Sequence, residues 1–138
     1  MYNFEFKQPK TISEALTALK SDEAQALAGG QTLIPTMKQR LASPSTLVSL
    51  SGISEMKGIC KNDDESISIG GGTTHADVAN HPNIFSGLVT LAEHIGDAAV
   101  RNRGTMGGSL ANNDPAACYP AAALSAGATI ITDTREIS

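Results

Sequence analysis

At 138 residues, with 41% hydrophobic and 17% charged side chains, the chain has the size and balance of a single globular domain. A net charge of −4 without any basic run argues against nucleic acid, and no apolar stretch approaches the roughly 20 residues of a membrane-spanning helix. Met1–Lys7 lacks the apolar core of a signal peptide, and Cys60 and Cys118 form no CxxC pattern, so reduced thiols, a cytoplasmic setting and no metal site are expected.

Trp is absent and aromatics make up only 4%, so Ala, Leu, Ile and Val must supply the core. Residues 2–7 alternate apolar and polar, which predicts a half-buried strand ended by Pro9. Thr11 and Glu14 have capping-box spacing, and Ile12, Ala15, Leu16 and Leu19 follow on one face of a helix over 12–20. Ala24–Ala28 reads as a buried strand that runs straight into Gly29, Gly30, Gln31 and Thr32. Beyond it, Leu33, Met37 and Leu41 share a helical face, with Thr32 as N-cap and Pro35 tolerated in the first turn. Thr46–Leu50 is a third strand, which makes residues 2–50 a β-α-β-α-β unit with a parallel sheet.

The texture changes near Gly52, and a joint between two subdomains is expected at 51–55. Residues 56–60 and 66–70 read as a hairpin around a polar loop. Gly70–Gly72 reads as a tight strand-to-helix turn, with Thr74 capping a short helix that ends near Asn80. A helix is predicted over 82–95, then a second glycine loop over Gly104–Ser109, a turn at 111–115 and an Ala-rich helix over 116–125. An apolar strand at 128–131, a turn and Glu136–Ser138 suggest a hairpin interrupted partway, as in a piece of a longer polypeptide.

The two glycine loops carry the chemistry. Glycine lets a ligand press against the main chain and lets successive N–H groups converge on an anion. A plain turn is the competing reading of either loop alone. Together, each ending in a hydroxyl residue (Thr32 and Ser109), they point to a large phosphorylated ligand held from two sides. Arg101 and Arg103 flank the second loop and could pair with phosphates or with an acidic partner. His75, His81 and His94 are scattered and read as surface or capping residues, Asp114 as a turn cap, and Cys118 as a small buried apolar residue. There are no paired carboxylates, no P-loop lysine and no nucleophile elbow, which favours chemistry brought by a cofactor.

Ala28-Gly29-Gly30-Gln31-Thr32-Leu33-Ile34-Pro35 and the segment Arg101-Asn102-Arg103-Gly104-Thr105-Met106-Gly107-Gly108-Ser109-Leu110-Ala111-Asn112-Asn113-Asp114-Pro115 resemble the two flavin loops of a known family. It is the FAD-binding (medium) subunit of aerobic carbon monoxide dehydrogenase and related molybdenum hydroxylases, including the xanthine dehydrogenase flavin domain. The resemblance implies an α+β, two-subdomain FAD-binding fold of the PCMH/vanillyl-alcohol-oxidase type. Residues 1–52 would be the small α/β subdomain, and residues 53–138 part of a larger, mainly antiparallel sheet with helices. It implies a flavoprotein oxidoreductase subunit in a hetero-oligomer. The flavin would take electrons from the 2Fe–2S clusters of an iron–sulfur small subunit, fed by a molybdenum cofactor large subunit, and pass them to an external acceptor. The implied FAD contacts are Ala28, Gly29, Gly30, Gln31, Thr32, Leu33, Thr105, Met106, Gly107, Gly108 and Ser109. Cys118 stands at a further flavin contact, where the family often has Asp. No catalytic side chain and no metal ligand is implied. A stand-alone flavin oxidoreductase of the same fold and a flavin-free assembly module are the alternatives.

Overall fold

The structure, a computed structural model, describes all residues from Met1 to Ser138. Strands β1 (Glu5–Lys7), β2 (Ala24–Leu27) and β3 (Thr46–Ser49) form a parallel sheet in the order β1-β3-β2. Lys7 is in register with Val48, and Leu27 with Ser49. All four residues of β3 are buried, as a central parallel strand covered on both faces requires. Helices α1 (Ile12–Ala18) and α2 (Leu33–Lys38) make the crossovers, so the β-α-β-α-β reading holds. Thr11 caps α1 by accepting from the Glu14 N–H at 3.2 Å. Glu14 reaches back one residue further than in a standard box and accepts from the Lys10 N–H at 2.7 Å.

Beyond β3, a 3-10 turn at Ser54–Met56 leads into the hairpin of β4 (Ile59–Lys61) and β5 (Ile67–Ile69). Helices α3 (His75–Asn80), α4 (Ser86–Glu93), α5 (Ala98–Arg101), α6 (Met106–Asn112) and α7 (Cys118–Ser125) follow, and a last hairpin pairs β6 (Ile130–Ile131) with β7 (Glu136–Ile137). This is the expected α+β mixture, with the antiparallel pairing divided between two separate hairpins. Thr74 and Asp77 form a full capping box at α3. Two apolar clusters build the core: Ala15, Val48 and Ile53 beneath the parallel sheet, and Val78, Ile84, Leu88, Ala92 and Tyr119 among the helices.

Several local expectations change. Strand β1 is shorter than residues 2–7, and its aromatics are largely exposed, Phe4 at 37% and Phe6 at 49%, because β1 is a sheet edge. Strand β2 is the other edge, so Gln25 and Ala26 are exposed and the strand is not buried. Helix α2 stops at Lys38 and Arg40 takes a positive φ of 62°, which leaves Leu41 off the buried face. The predicted 82–95 helix contracts to α4. The unpredicted α5 forms because Asp97 accepts from the Val100 N–H at 2.9 Å.

Two stability predictions follow from burial. Ile53→Ala removes a fully buried side chain and should cost about 2–5 kcal/mol in urea unfolding, whereas Leu41→Ala should change stability by less than about 0.5 kcal/mol. Tyr119 has no exposed surface and its hydroxyl has no partner, and burial pushes its pKa from 10.0 up to about 12. Its folded pKa lies above its unfolded one, so its contribution is complete below pH 10 and is lost as pH rises toward 12. Tyr119→Phe should therefore flatten the alkaline fall in Tm without lowering Tm at pH 7, because no hydrogen bond is lost.

Candidate functional site: a junction of glycine segments

The C-terminal end of β2 delivers Ala28–Thr32 against the segment that precedes α6. A Cβ on Gly29 would collide with the Arg103 carbonyl oxygen and stand 2.7 Å from Gly104 Cα. A Cβ on Gly104 would lie 2.6 Å from His75 Nε2. The Arg103–Gly104 peptide is thus pressed between the first glycine segment and the His75 ring. It is tied there by the Gly104 N–H to Val100 O at 2.7 Å and by the His75 N–H to Gly104 O at 3.0 Å.

The Gly70–Gly72 run belongs to the same junction. The Gly107 N–H donates to Gly71 O and the Met106 N–H to Thr73 O, both at 3.0 Å, while Thr74 and Thr105 form an isolated antiparallel bridge. A Cβ on Gly107 would come within 2.6 Å of Gly71 O, so glycine at 107 allows the backbones to touch.

The second loop is mostly helix. Thr105 is the N-cap of α6, and its hydroxyl accepts from the Gly108 N–H at 3.1 Å. The Ser109 N–H donates to Thr105 O at 3.0 Å. The N–H groups of Met106, Gly107, Gly108 and Ser109 are therefore all engaged within the chain. The Met106 side chain packs on the helical core.

The first segment is the opposite case. The N–H groups of Gly29, Gly30, Gln31 and Thr32 donate to no acceptor in the protein. Gly30 sits at φ +74°, a conformation that favours glycine, and Gln31 Nε2 donates to Gly29 O at 3.0 Å, bracing the loop from within. Thr32 occupies the N-cap position of α2 but makes no capping bond, so the expected cap is absent and its hydroxyl is free. Leu33, the first residue of α2, is partly buried. Four successive unengaged donors in one bend suit an anionic ligand such as a phosphate.

Other expected site residues part from this junction. Cys118 is exposed in the first turn of α7, not buried, and hydrogen-bonds to neither glycine segment. The Arg101 guanidinium is turned inward, donating to Ile95 O at 3.2 Å and Gly96 O at 3.1 Å, and so closes the end of α4. Arg103 contributes its carbonyl to the contact, and its side chain is exposed. Asp114 caps its turn as expected, accepting from the Ala116 N–H at 2.8 Å. His81 and His94 bond locally to the backbone near the ends of α3 and α4.

His75 was missed. It is 5% exposed, its ring centroid lies 5.3 Å from that of Tyr119, and burial holds its pKa below the usual 6.5. Its i, i+3 relation to Val78 on a short capped helix was the available signal that it faces inward. No group of three His, Cys, Asp or Glu side chains comes together to hold a metal. Two surface grooves, one lined by Lys7, Glu14 and Thr17 and the other by Ala76, Asn80 and Arg101, lie apart from the first glycine segment.

Known proteins share this arrangement of chain. The carbon monoxide dehydrogenase medium chain of Hydrogenophaga pseudoflava is 36% identical over 135 residues, a match covering 94% of this chain and 47% of that one. The glyceraldehyde dehydrogenase medium chain of Sulfolobus acidocaldarius is 36% identical over 133 residues, covering 93% of this chain and 47% of its own length. A solved structure of carbon monoxide dehydrogenase from Hydrogenophaga pseudoflava superposes with a TM-score of 0.84 at 36% identity, covering 88% of this chain and 44% of that chain. The chain spans about half the length of the curated relatives it matches. Residues 2–137 match the family described as FAD binding domain in molybdopterin dehydrogenase, and the chain belongs to that family.

Proposed function

We propose that this chain holds FAD as part of the electron-transfer subunit of a molybdenum hydroxylase complex, most like carbon monoxide dehydrogenase. The observation that carries the reading is the row of N–H donors from Gly29 to Thr32 with no acceptor in the protein. A pyrophosphate is an anion of the right chemistry for such a row, and hydrogen bonds to an ionised acceptor are the strong kind. The residues present therefore fit the cofactor. Ala28, Gly29, Gly30, Gln31, Thr32 and Leu33 form the proposed cradle. Thr105, Met106, Gly107 and Gly108 fix the wall against it, and Ser109 offers a hydroxyl free of any bond within the protein.

In this reading residues 1–52 and 53–138 are the two subdomains that flank the flavin. Bound FAD supplies the redox chemistry, and the chain binds and orients it. An iron–sulfur small subunit and a molybdenum cofactor large subunit are the proposed partners, with electrons leaving the flavin for an external acceptor in the cytoplasm. An electron-transfer role suits the junction better than a stand-alone oxidase does, because it brings together no acid–base pair. Cys118, exposed on α7, remains a proposed contact at the cofactor's edge.

Titration of the chain with FAD, followed by flavin fluorescence, tests the cradle. Gly30→Val forces a branched side chain into φ +74° and against Ile34, where a Cβ already stands 2.6 Å from Ile34 Cδ1. It should weaken binding by about tenfold or more, since losing one charge-assisted hydrogen bond costs about 1.5–3 kcal/mol. Thr32→Ala, which removes one hydroxyl and no backbone donor, should have the smaller effect. Unchanged affinity in Gly30→Val, or no binding by the unaltered chain, would contradict the reading.

A further inference from the structure

We propose that His75 is a positioning residue of the flavin-binding site, its ring setting where the Arg103–Gly104 peptide stands against the first glycine segment. The flavin part of this statement rests on the reading above; the geometry stands without it. The His75 backbone N–H donates to Gly104 O, and separately the ring edge lies where a Gly104 side chain would be. The other side of the same peptide touches Gly29, beside the free donors. A shift of the ring therefore moves the support on which the cradle leans.

An imidazole is an unusual choice for a prop. Its Nδ1 is buried with no partner, as is the hydroxyl of the touching Tyr119, and an unpaired buried polar atom is costly. An imidazolium carries a proton on both nitrogens, and at the buried Nδ1 that N–H would find no acceptor. Tyr119 is neutral, and Cys118 beside it is exposed on α7. On α3 itself, Asp77 is engaged by Thr74, with its Oδ2 accepting from the hydroxyl at 2.7 Å. On the α5–α6 side, Arg101 is bound to the Ile95 and Gly96 carbonyls and Arg103 is exposed. On α4, Glu93 and His94 are exposed. Protonation therefore favours a displaced ring, which removes the support beneath the Arg103–Gly104 peptide.

The sign follows from burial. The folded pKa lies below the unfolded 6.5, so the arrangement is complete above about pH 6.5 and is lost progressively below it. Linkage to one proton limits the fall to about tenfold per pH unit.

The test is an NMR pH titration of the full chain and of His75→Phe, which keeps a ring against Tyr119. The readouts are the exchange protection of the Met106 and Gly107 amides and, in parallel, FAD affinity. In the unaltered chain both should fall as pH drops below about 6.5, by at most about tenfold per pH unit, and level off once the His75 ring resonance has titrated; in His75→Phe both should be flat. A flat profile in the unaltered chain, an equal fall in His75→Phe, or amide protection that goes on falling after the ring has titrated would overturn the proposal. The ring titration decides the matter even if the variant does not fold. Failure of FAD to bind at any pH would overturn the flavin reading, while the amide profile still judges the prop.

Discussion

Close backbone contact at one peptide bond ties the end of β2 to the segment that precedes α6. The Arg103–Gly104 peptide is pressed on one side by Gly29 and on the other by the His75 ring, at distances no side chain at Gly29 or Gly104 would permit. From there the contacts spread outward. Gly104 leads into the Thr105 cap, the cap starts α6, and α6 begins on the carbonyls of Gly71 and Thr73. Three glycine segments far apart in sequence thus form one backbone-to-backbone junction. Close packing without side chains fixes it, and it sits where the chain leaves β2.

That junction divides the roles of two similar-looking loops. Around Met106–Ser109 every N–H is used by the protein, so glycine there serves close approach. Around Gly29–Thr32 no N–H is used, and glycine at 30 permits the positive φ of the bend. The same residue type has opposite functions, and only hydrogen-bond bookkeeping distinguishes them. A donor-saturated wall beside a bend with free donors is, in the proposed flavin reading, a preorganised arrangement.

Much of this was legible in the sequence, and the reasons for the rest are physical. The β-α-β-α-β unit showed because β3 is uniformly apolar or small and α1 carries a cap at standard spacing. The family and its cofactor showed because the two glycine motifs are long and specific. Edge strands were misjudged because exposure depends on neighbours that composition does not reveal; Ala24–Leu27 reads the same at a centre or an edge. The second loop proved helical because Thr105 caps it, and helix begins one residue past a cap whatever glycines follow. Cys118 read as buried from its residue type, yet its place at the start of α7 exposes it while its neighbour Tyr119 is fully buried. His75 was passed over because a lone histidine carries no local pattern of its own; its meaning comes from Gly104 and Tyr119, both distant in sequence.

The most direct test of the central claim is amide-resolved NMR of the chain as FAD is added. The account predicts that the N–H resonances of Gly29, Gly30, Gln31 and Thr32 move together and saturate at one ligand per chain, while Met106, Gly107 and Gly108 keep their exchange protection. Perturbation confined to Met106–Ser109 with the Gly29–Thr32 amides unmoved, or no perturbation at all, would contradict it.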